Sequence, residues 1–225
     1  MLRTLLYILV IASCCCACQS NSTSSSTPTS DPSAPPPSTS PTKSIILFFG
    51  NSLTAGYGVE LEEAFPNLIQ KRLDSLQFPY QVVNAGLSGE TSAGGNSRID
   101  WILEQQAIDI FFLELGANDG LRGLKTEETL AQLREIMQKV RAKNPKVKIV
   151  LAGMEAPPNM GDAYTAAFRK VFKTLHEEEG VVLMPFFLEG VAGDPALNVA
   201  DGIHPNPAGH RIVAEGVWSI LQPLL

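Results

Sequence analysis

Residues 44–225 are predicted to form an α/β domain on a parallel sheet with helices on both faces. Three observations predict it. Short apolar runs recur without polar alternation, as strands covered on both faces require. Stretches with apolar residues at helical spacing separate them, and that alternation is the signature of a parallel sheet with right-handed crossovers. Polar, glycine-bearing loops follow several of the runs, where such sheets place their ligands.

The elements follow in order. Residues 44–49 (Ser-Ile-Ile-Leu-Phe-Phe) form the first strand, closed by Gly50. Residues 64–76 form a helix with Pro66 in its first turn and Leu68, Ile69, Leu73 and Leu76 at helical spacing. The second strand is 80–85, and a helical stretch at 98–105 carries Ile99, Ile102 and Leu103. The third strand is 108–115. Thr126 is expected to cap the next helix, with Glu127 and Glu128 in its first turn and Leu133, Ile136, Met137 and Val140 on its apolar face. The fourth strand is 146–152. Asp162 is expected to cap a helix that carries Phe168, Val171, Phe172 and Leu175 and ends at Gly180. The fifth strand is 181–184, and Asn206-Pro207 opens the last helix.

The segment before this domain reads as an address. Arg3 precedes the apolar run 5–11, too short for a spanning helix and of the right shape for a secretory signal. Ile11-Ala12-Ser13-Cys14 resembles a bacterial lipobox, so residues 1–18 are expected to be a lipoprotein signal with Cys14 lipidated, or alternatively Cys18. Of the 25 residues 19–43, 20 are Ser, Thr or Pro. With no apolar pattern to offset ordering entropy, they are expected to be a disordered linker. These features predict an extracytoplasmic domain held to a bacterial membrane by a lipid anchor.

Composition narrows the chemistry. The formal net charge is −6, which counts against nucleic acid as a partner. All four cysteines lie at or before Cys18, so the domain has no disulfide, cysteine nucleophile or cysteine metal site. No His/Asp/Glu set shows ligand spacing; neither a metal nor another cofactor is expected.

Four segments carry the chemistry: Gly50-Asn51-Ser52-Leu53, Asn84-Ala85-Gly86, Gly116-Ala117-Asn118-Asp119 and Asp201-Gly202-Ile203-His204-Pro205. The first three follow strands and open on one edge of a parallel sheet. Ser52 is the candidate nucleophile and needs a base, which His204 supplies. Asp201, three residues earlier, can hold His204 Nδ1. The Ser52 and Gly86 N–H groups and the Asn118 amide are the candidate oxyanion donors. Glu90 and Asp119 flank these blocks, but the spacing favours Asp201. His176 is expected to be solvated and His210 structural.

In these blocks the sequence resembles the SGNH, or GDSL-type, hydrolases, closest to their bacterial thioesterase/lysophospholipase/arylesterase branch. The matching segments are 86–92, 114–123 and 201–206, with Ser52, Gly86, Asn118 and His204 as the naming residues. Asn51 departs from the family pattern, which usually has Asp there. The resemblance implies a flavodoxin-like three-layer α/β/α sandwich with five parallel strands. It also implies a metal-free serine esterase that works through an acyl-enzyme on a small-molecule ester or lipid.

Some of Leu121 and Leu124 after strand three, Met154, Pro157, Pro158 and Met160 after strand four, and Phe186 and Phe187 after strand five are expected to line an apolar acyl groove; the alternative is that they cover the core, which holds at least equally for the two phenylalanines. The competing readings are a glycan O-acetyl esterase of the same fold and a non-catalytic surface binding lipoprotein. Oligomeric state has no signature in the sequence.

Overall fold

The computed structural model describes residues 43–225. The signal expected at 1–18, the lipidation candidates Cys14 and Cys18, and the linker up to residue 42 lie outside the described residues.

Five parallel strands form one sheet in the order β2-β1-β3-β4-β5. They are β1 (Ser44–Gly50), β2 (Tyr80–Gly86), β3 (Ile110–Glu114), β4 (Lys148–Ala152) and β5 (Val182–Met184). Among the described residues seven α-helices accompany them: α1 (Ser52–Ala55), α2 (Phe65–Ser75), α3 (Ser92–Gln105), α4 (Ala117–Leu121), α5 (Thr126–Lys143), α6 (Asp162–Glu179) and α7 (Pro207–Leu221). The chain steps from β1 to β2 on one side and then back across β1 to β3. Right-handed crossovers therefore put the intervening helices on opposite faces. Helix α2 packs with α7, while α3, α5 and α6 pack in a row. This is the three-layer α/β/α sandwich with five parallel strands.

Two layers of apolar side chains explain the unbroken strand sequences. Phe48 meets Phe65 of α2 edge-on and Phe112 lies tilted against both, while Phe49 meets Phe111 on the opposite face. All five rings are fully buried or within 1% of it. Phe48→Ala is expected to lower unfolding free energy by about 3–5 kcal/mol, read as a drop in urea midpoint, because the rings around it cannot close the cavity.

Helix boundaries differ from the sequence expectation in three places. Helix α3 begins at Ser92, six residues before the expected stretch, because Thr91 Oγ1 caps Gly94 N–H. Gly94 and Gly95 hide that turn from an apolar count. A Cβ at Gly95 would stand 2.4 Å from Leu115 Cδ1, so packing, not propensity, places glycine there. Thr126 and Asp162 are the first residues of α5 and α6, not their caps. Lys125 and Gly161 hold the cap positions without a side-chain bond, and Gly161 has a φ of 87°. Asp162 still faces the positive end of its helix. The short helices α1 and α4, inside the expected loops, have too few residues for a periodic signal.

Register positions the site. Gly50 at the end of β1 lies opposite Gly86 on one side and Glu114 on the other. Three adjacent strands thus end level, at the place where the chain reverses direction across the sheet, and their loops converge.

Candidate active site

Asn51 turns the chain from β1 into α1. Its Oδ1 accepts from Leu53 N–H at 2.9 Å, and Ser52 becomes the first helical residue. Helix α1 ends after one turn at Gly56, with a φ of 79°. Ser52 is thereby fixed on the cleft floor, only 9% exposed, rather than presented on the surface.

The loop before α7 reaches this turn from the other side. Asn198 Nδ2 donates to Val191 and Asp194 carbonyls, Asn206 Nδ2 donates to Ala196 O, and Val199 N–H donates to His204 O. So stitched, the loop holds Asp201 and His204 in fixed relation. His204 Nδ1 lies 2.7 Å from Asp201 Oδ2, and His204 Nε2 lies 2.8 Å from Ser52 Oγ. With a carboxylate at Nδ1, the imidazole carries its proton there and leaves Nε2 to accept from the serine hydroxyl. The Ile203 N–H, together with the side chain and N–H of His204, holds the Asp201 carboxyl below the usual carboxylate range. The Tyr57 ring lies against His204, with centroids 4.6 Å apart.

A cleft of about 530 Å³ opens over Ser52 and His204. Asn118 lines it, and its Nδ2 donates one hydrogen to Glu90 O at 2.9 Å, leaving the other available. Gly86 does not line it. Its N–H donates to Asn84 Oδ1 at 2.9 Å, and a Cβ there would stand 2.2 Å from Ala55 N. Gly86 is glycine so that α1 can sit on β2, and the sequence expectation of an oxyanion donor at this position is corrected. Gly89, three residues on, lines the cleft with a φ of 80°, and Arg122 holds its carbonyl at 2.9 Å. The N–H groups of Ser52 and Gly89 meet no protein acceptor among the described residues.

Glu90 and Asp119 are turned away from His204. Glu90 is paired with Arg98. Asp119 accepts from Ser92 N–H and Ser92 Oγ–H, and so ties α3 to α4. His176 is exposed, whereas His210 is 1% exposed and its Nδ1 accepts from Phe65 N–H. Among the described residues no group of three or more His, Cys, Asp or Glu side chains could hold a metal ion.

Of the expected groove residues, Leu121, Met154, Pro157, Pro158 and Phe186 line the cleft, and Tyr57 and Ile203 join them. Leu124 and Met160 do not, and Phe187 is a core ring packed on Phe65. The two phenylalanines follow β5 in a turn, where Phe186 faces the cleft and Phe187 the core.

Two buried groups are expected to make stability depend on pH. Burial pushes His210 down from 6.5 to about 4, helped by the nearby His204. A depressed base contributes stability that is present above 6.5 and lost as pH falls through 4. Burial pushes Glu114 up from 4.5 to about 8 against four hydrogen bonds, so its contribution is lost as pH rises through 8. Between pH 6.5 and pH 4 the native chain is expected to lose on the order of 3 kcal/mol through His210. Urea midpoints of His210→Asn, which keeps an acceptor for Phe65 N–H, should fall less over that range; an equal fall would exclude His210 as the source.

Comparison with known proteins agrees with this arrangement. Residues 48–212 match the GDSL-like Lipase/Acylhydrolase family. The chain is 41% identical over 180 residues to esterase TesA of Pseudomonas aeruginosa, which covers 80% of this chain and 89% of that protein. It is 38% identical over 180 residues to thioesterase 1/protease 1/lysophospholipase L1 of Escherichia coli K12, covering 80% and 84% of the two chains. A crystal structure of TesA superposes with a TM-score of 0.77 at 40% identity, covering 80% of this chain and 99% of that one. With the fold, the loop blocks and this likeness along nearly the whole described domain, the chain belongs to the GDSL-like lipase/acylhydrolase family and is a carboxylic ester hydrolase.

Proposed function

We propose that this enzyme cleaves acyl and aryl esters through an acyl-enzyme on Ser52. The observation that carries the reading is the continuous line of hydrogen bonds from Asp201 through His204 to Ser52 Oγ, at 2.7 and 2.8 Å, on the floor of an apolar cleft. Ser52 Oγ attacks the acyl carbon while its proton passes to His204 Nε2. The carbonyl oxygen becomes an oxyanion facing the Ser52 N–H, the Gly89 N–H and the Asn118 amide. When the C–O bond to the alcohol breaks, His204 returns that proton to the leaving oxygen. Water then attacks the acyl-serine and gives a proton to His204, and Ser52 recovers it as the acid leaves. Asp201 keeps the imidazole oriented and stabilises its cation throughout.

The lining favours acyl chains longer than acetyl. Leu121, Met154, Pro157 and Phe186 offer apolar surface, and each buried methylene contributes about 0.8 kcal/mol. A p-nitrophenyl ester series from acetyl to palmitoyl, run on the full chain, is expected to peak at a medium or longer chain. Activity confined to acetyl esters would instead support a glycan O-acetyl esterase, and no activity would support a binding lipoprotein. Leu121→Asn and Met154→Asn together should lower the octanoyl-to-acetyl ratio of kcat/KM by about tenfold. An unchanged ratio would remove these side chains from the acyl site. Thioesters and lysophospholipids belong to the same series, because both present an acyl carbon to the same nucleophile.

Attachment to the bacterial envelope through Cys14 or Cys18 is proposed from the sequence of residues 1–18 alone. Metabolic incorporation of labelled palmitate that is lost in Cys14→Ala, or else in Cys18→Ala, would identify the anchored residue. Absence of label in the native chain would reject the anchor.

A further inference from the structure

We propose that Glu114 is a positioning residue for the nucleophile turn, and that the amide of Asn51 is its matched partner. The proposal rests on Ser52 being the nucleophile. Glu114 ends β3 with no exposed surface, directly beneath the turn from β1 to α1. Both carboxyl oxygens face donors from that turn. Oε1 accepts from Asn51 Nδ2 at 2.7 Å. Oε2 accepts from Thr54 Oγ1 at 2.7 Å and from the N–H groups of Asn51 and Thr54, each at 3.2 Å.

The residues so held, 51 and 54, flank Ser52. Gly50 leaves the room: a Cβ there would stand 2.5 Å from Glu114 Oε2 and 2.2 Å from Thr54 Oγ1. The Asn51 amide cannot turn over freely, because its Oδ1 caps Leu53 N–H at 2.9 Å, so Nδ2 must face Glu114. Other ionisable side chains around the turn are engaged elsewhere: His204 with Asp201 and Ser52, Asp119 with Ser92, Glu90 with Arg98, and Glu155 with Arg169. Glu114 therefore acts on the nucleophile through geometry alone. A shift of this turn moves Ser52 Oγ relative to His204 Nε2.

The pairing makes a rescue possible that simple packing does not. In Glu114→Gln, compared above pH 8 where Glu114 is a carboxylate, one of its two oxygens becomes NH₂. Wherever that NH₂ lies, it meets a donor, either Asn51 Nδ2 or the backbone N–H groups. Asn51→Asp in the same chain presents an acceptor to it while still capping Leu53 N–H, so the acid and amide exchange places.

The test is the cycle of native chain, Glu114→Gln, Asn51→Asp and the double variant, assayed above pH 8 on one p-nitrophenyl ester with melting temperatures alongside. Glu114→Gln is expected to lower kcat by about tenfold or more with KM within about threefold, and the double variant to recover most of that loss. Melting temperature should fall and recover in parallel. A double variant no better than Glu114→Gln overturns the proposal, as does a Glu114→Gln enzyme with native kcat. If Glu114→Gln does not fold, the double variant decides: folded and active supports the pairing, and unfolded or inactive overturns it. Ser52→Ala run in the same series separates the two readings. Turnover that survives Ser52→Ala would reject the nucleophile, whereas the melting temperatures report the pairing either way.

Discussion

Ser52→Ala is expected to lower kcat on a p-nitrophenyl ester by a factor on the order of 10⁶, leaving only what the oxyanion donors and cleft provide. The substitution removes one oxygen from a residue that is 9% exposed, and the cap on α1 belongs to Asn51, so the melting temperature should stay near native. This separation of activity from stability distinguishes a nucleophile from a serine that merely opens a helix, whose loss would cost stability. His204→Ala should be comparably damaging, and combining it with Ser52→Ala should add little, because groups that act as a unit are not additive. A double variant far slower than either single one would mean that His204 serves another step.

Asn118→Ala is expected to lower kcat by roughly 10²–10³ while KM changes little. The amide meets the substrate oxygen most strongly once that oxygen carries charge, so its removal acts on the transition state. Its other hydrogen holds Glu90 O at 2.9 Å, which keeps the loop bearing Gly89 against α4. Loss of that bond alone would show as lower stability and raised KM. A fall in kcat/KM arising only through KM would therefore assign Asn118 to loop structure and remove it from the oxyanion site.

The parts of this enzyme that were legible in the sequence are those with strong local chemistry. Strands buried on both faces leave unbroken apolar runs, so all five could be read, within two residues at each end. Asp201 and His204 lie three residues apart, so their contact is local and spacing alone points to it. Ser52 lies 152 residues from His204, and they meet because the stitched loop before α7 reaches the turn at the end of β1.

The glycine of the cleft was harder to place. The segment 86–92 holds two glycines, and Gly86 ends the strand in the obvious position. Which of them faces the cleft depends on how far β2 runs and on the left-handed turn at Gly89, neither of which the residue pattern specifies. Glu114 was hidden for a related reason. A lone carboxylate at the end of an apolar run reads as a strand end, and its donors come from another segment. The start of α3 was missed because its glycines serve close packing, which overrides helix propensity.

The most direct test of the central claim is covalent. The full chain is treated with a fluorophosphonate and the modified peptide mapped by mass spectrometry. One adduct is expected, on Ser52, absent from Ser52→Ala and formed far more slowly in His204→Ala. An adduct on another residue, or none in a chain that is hydrolysing esters, would contradict that claim.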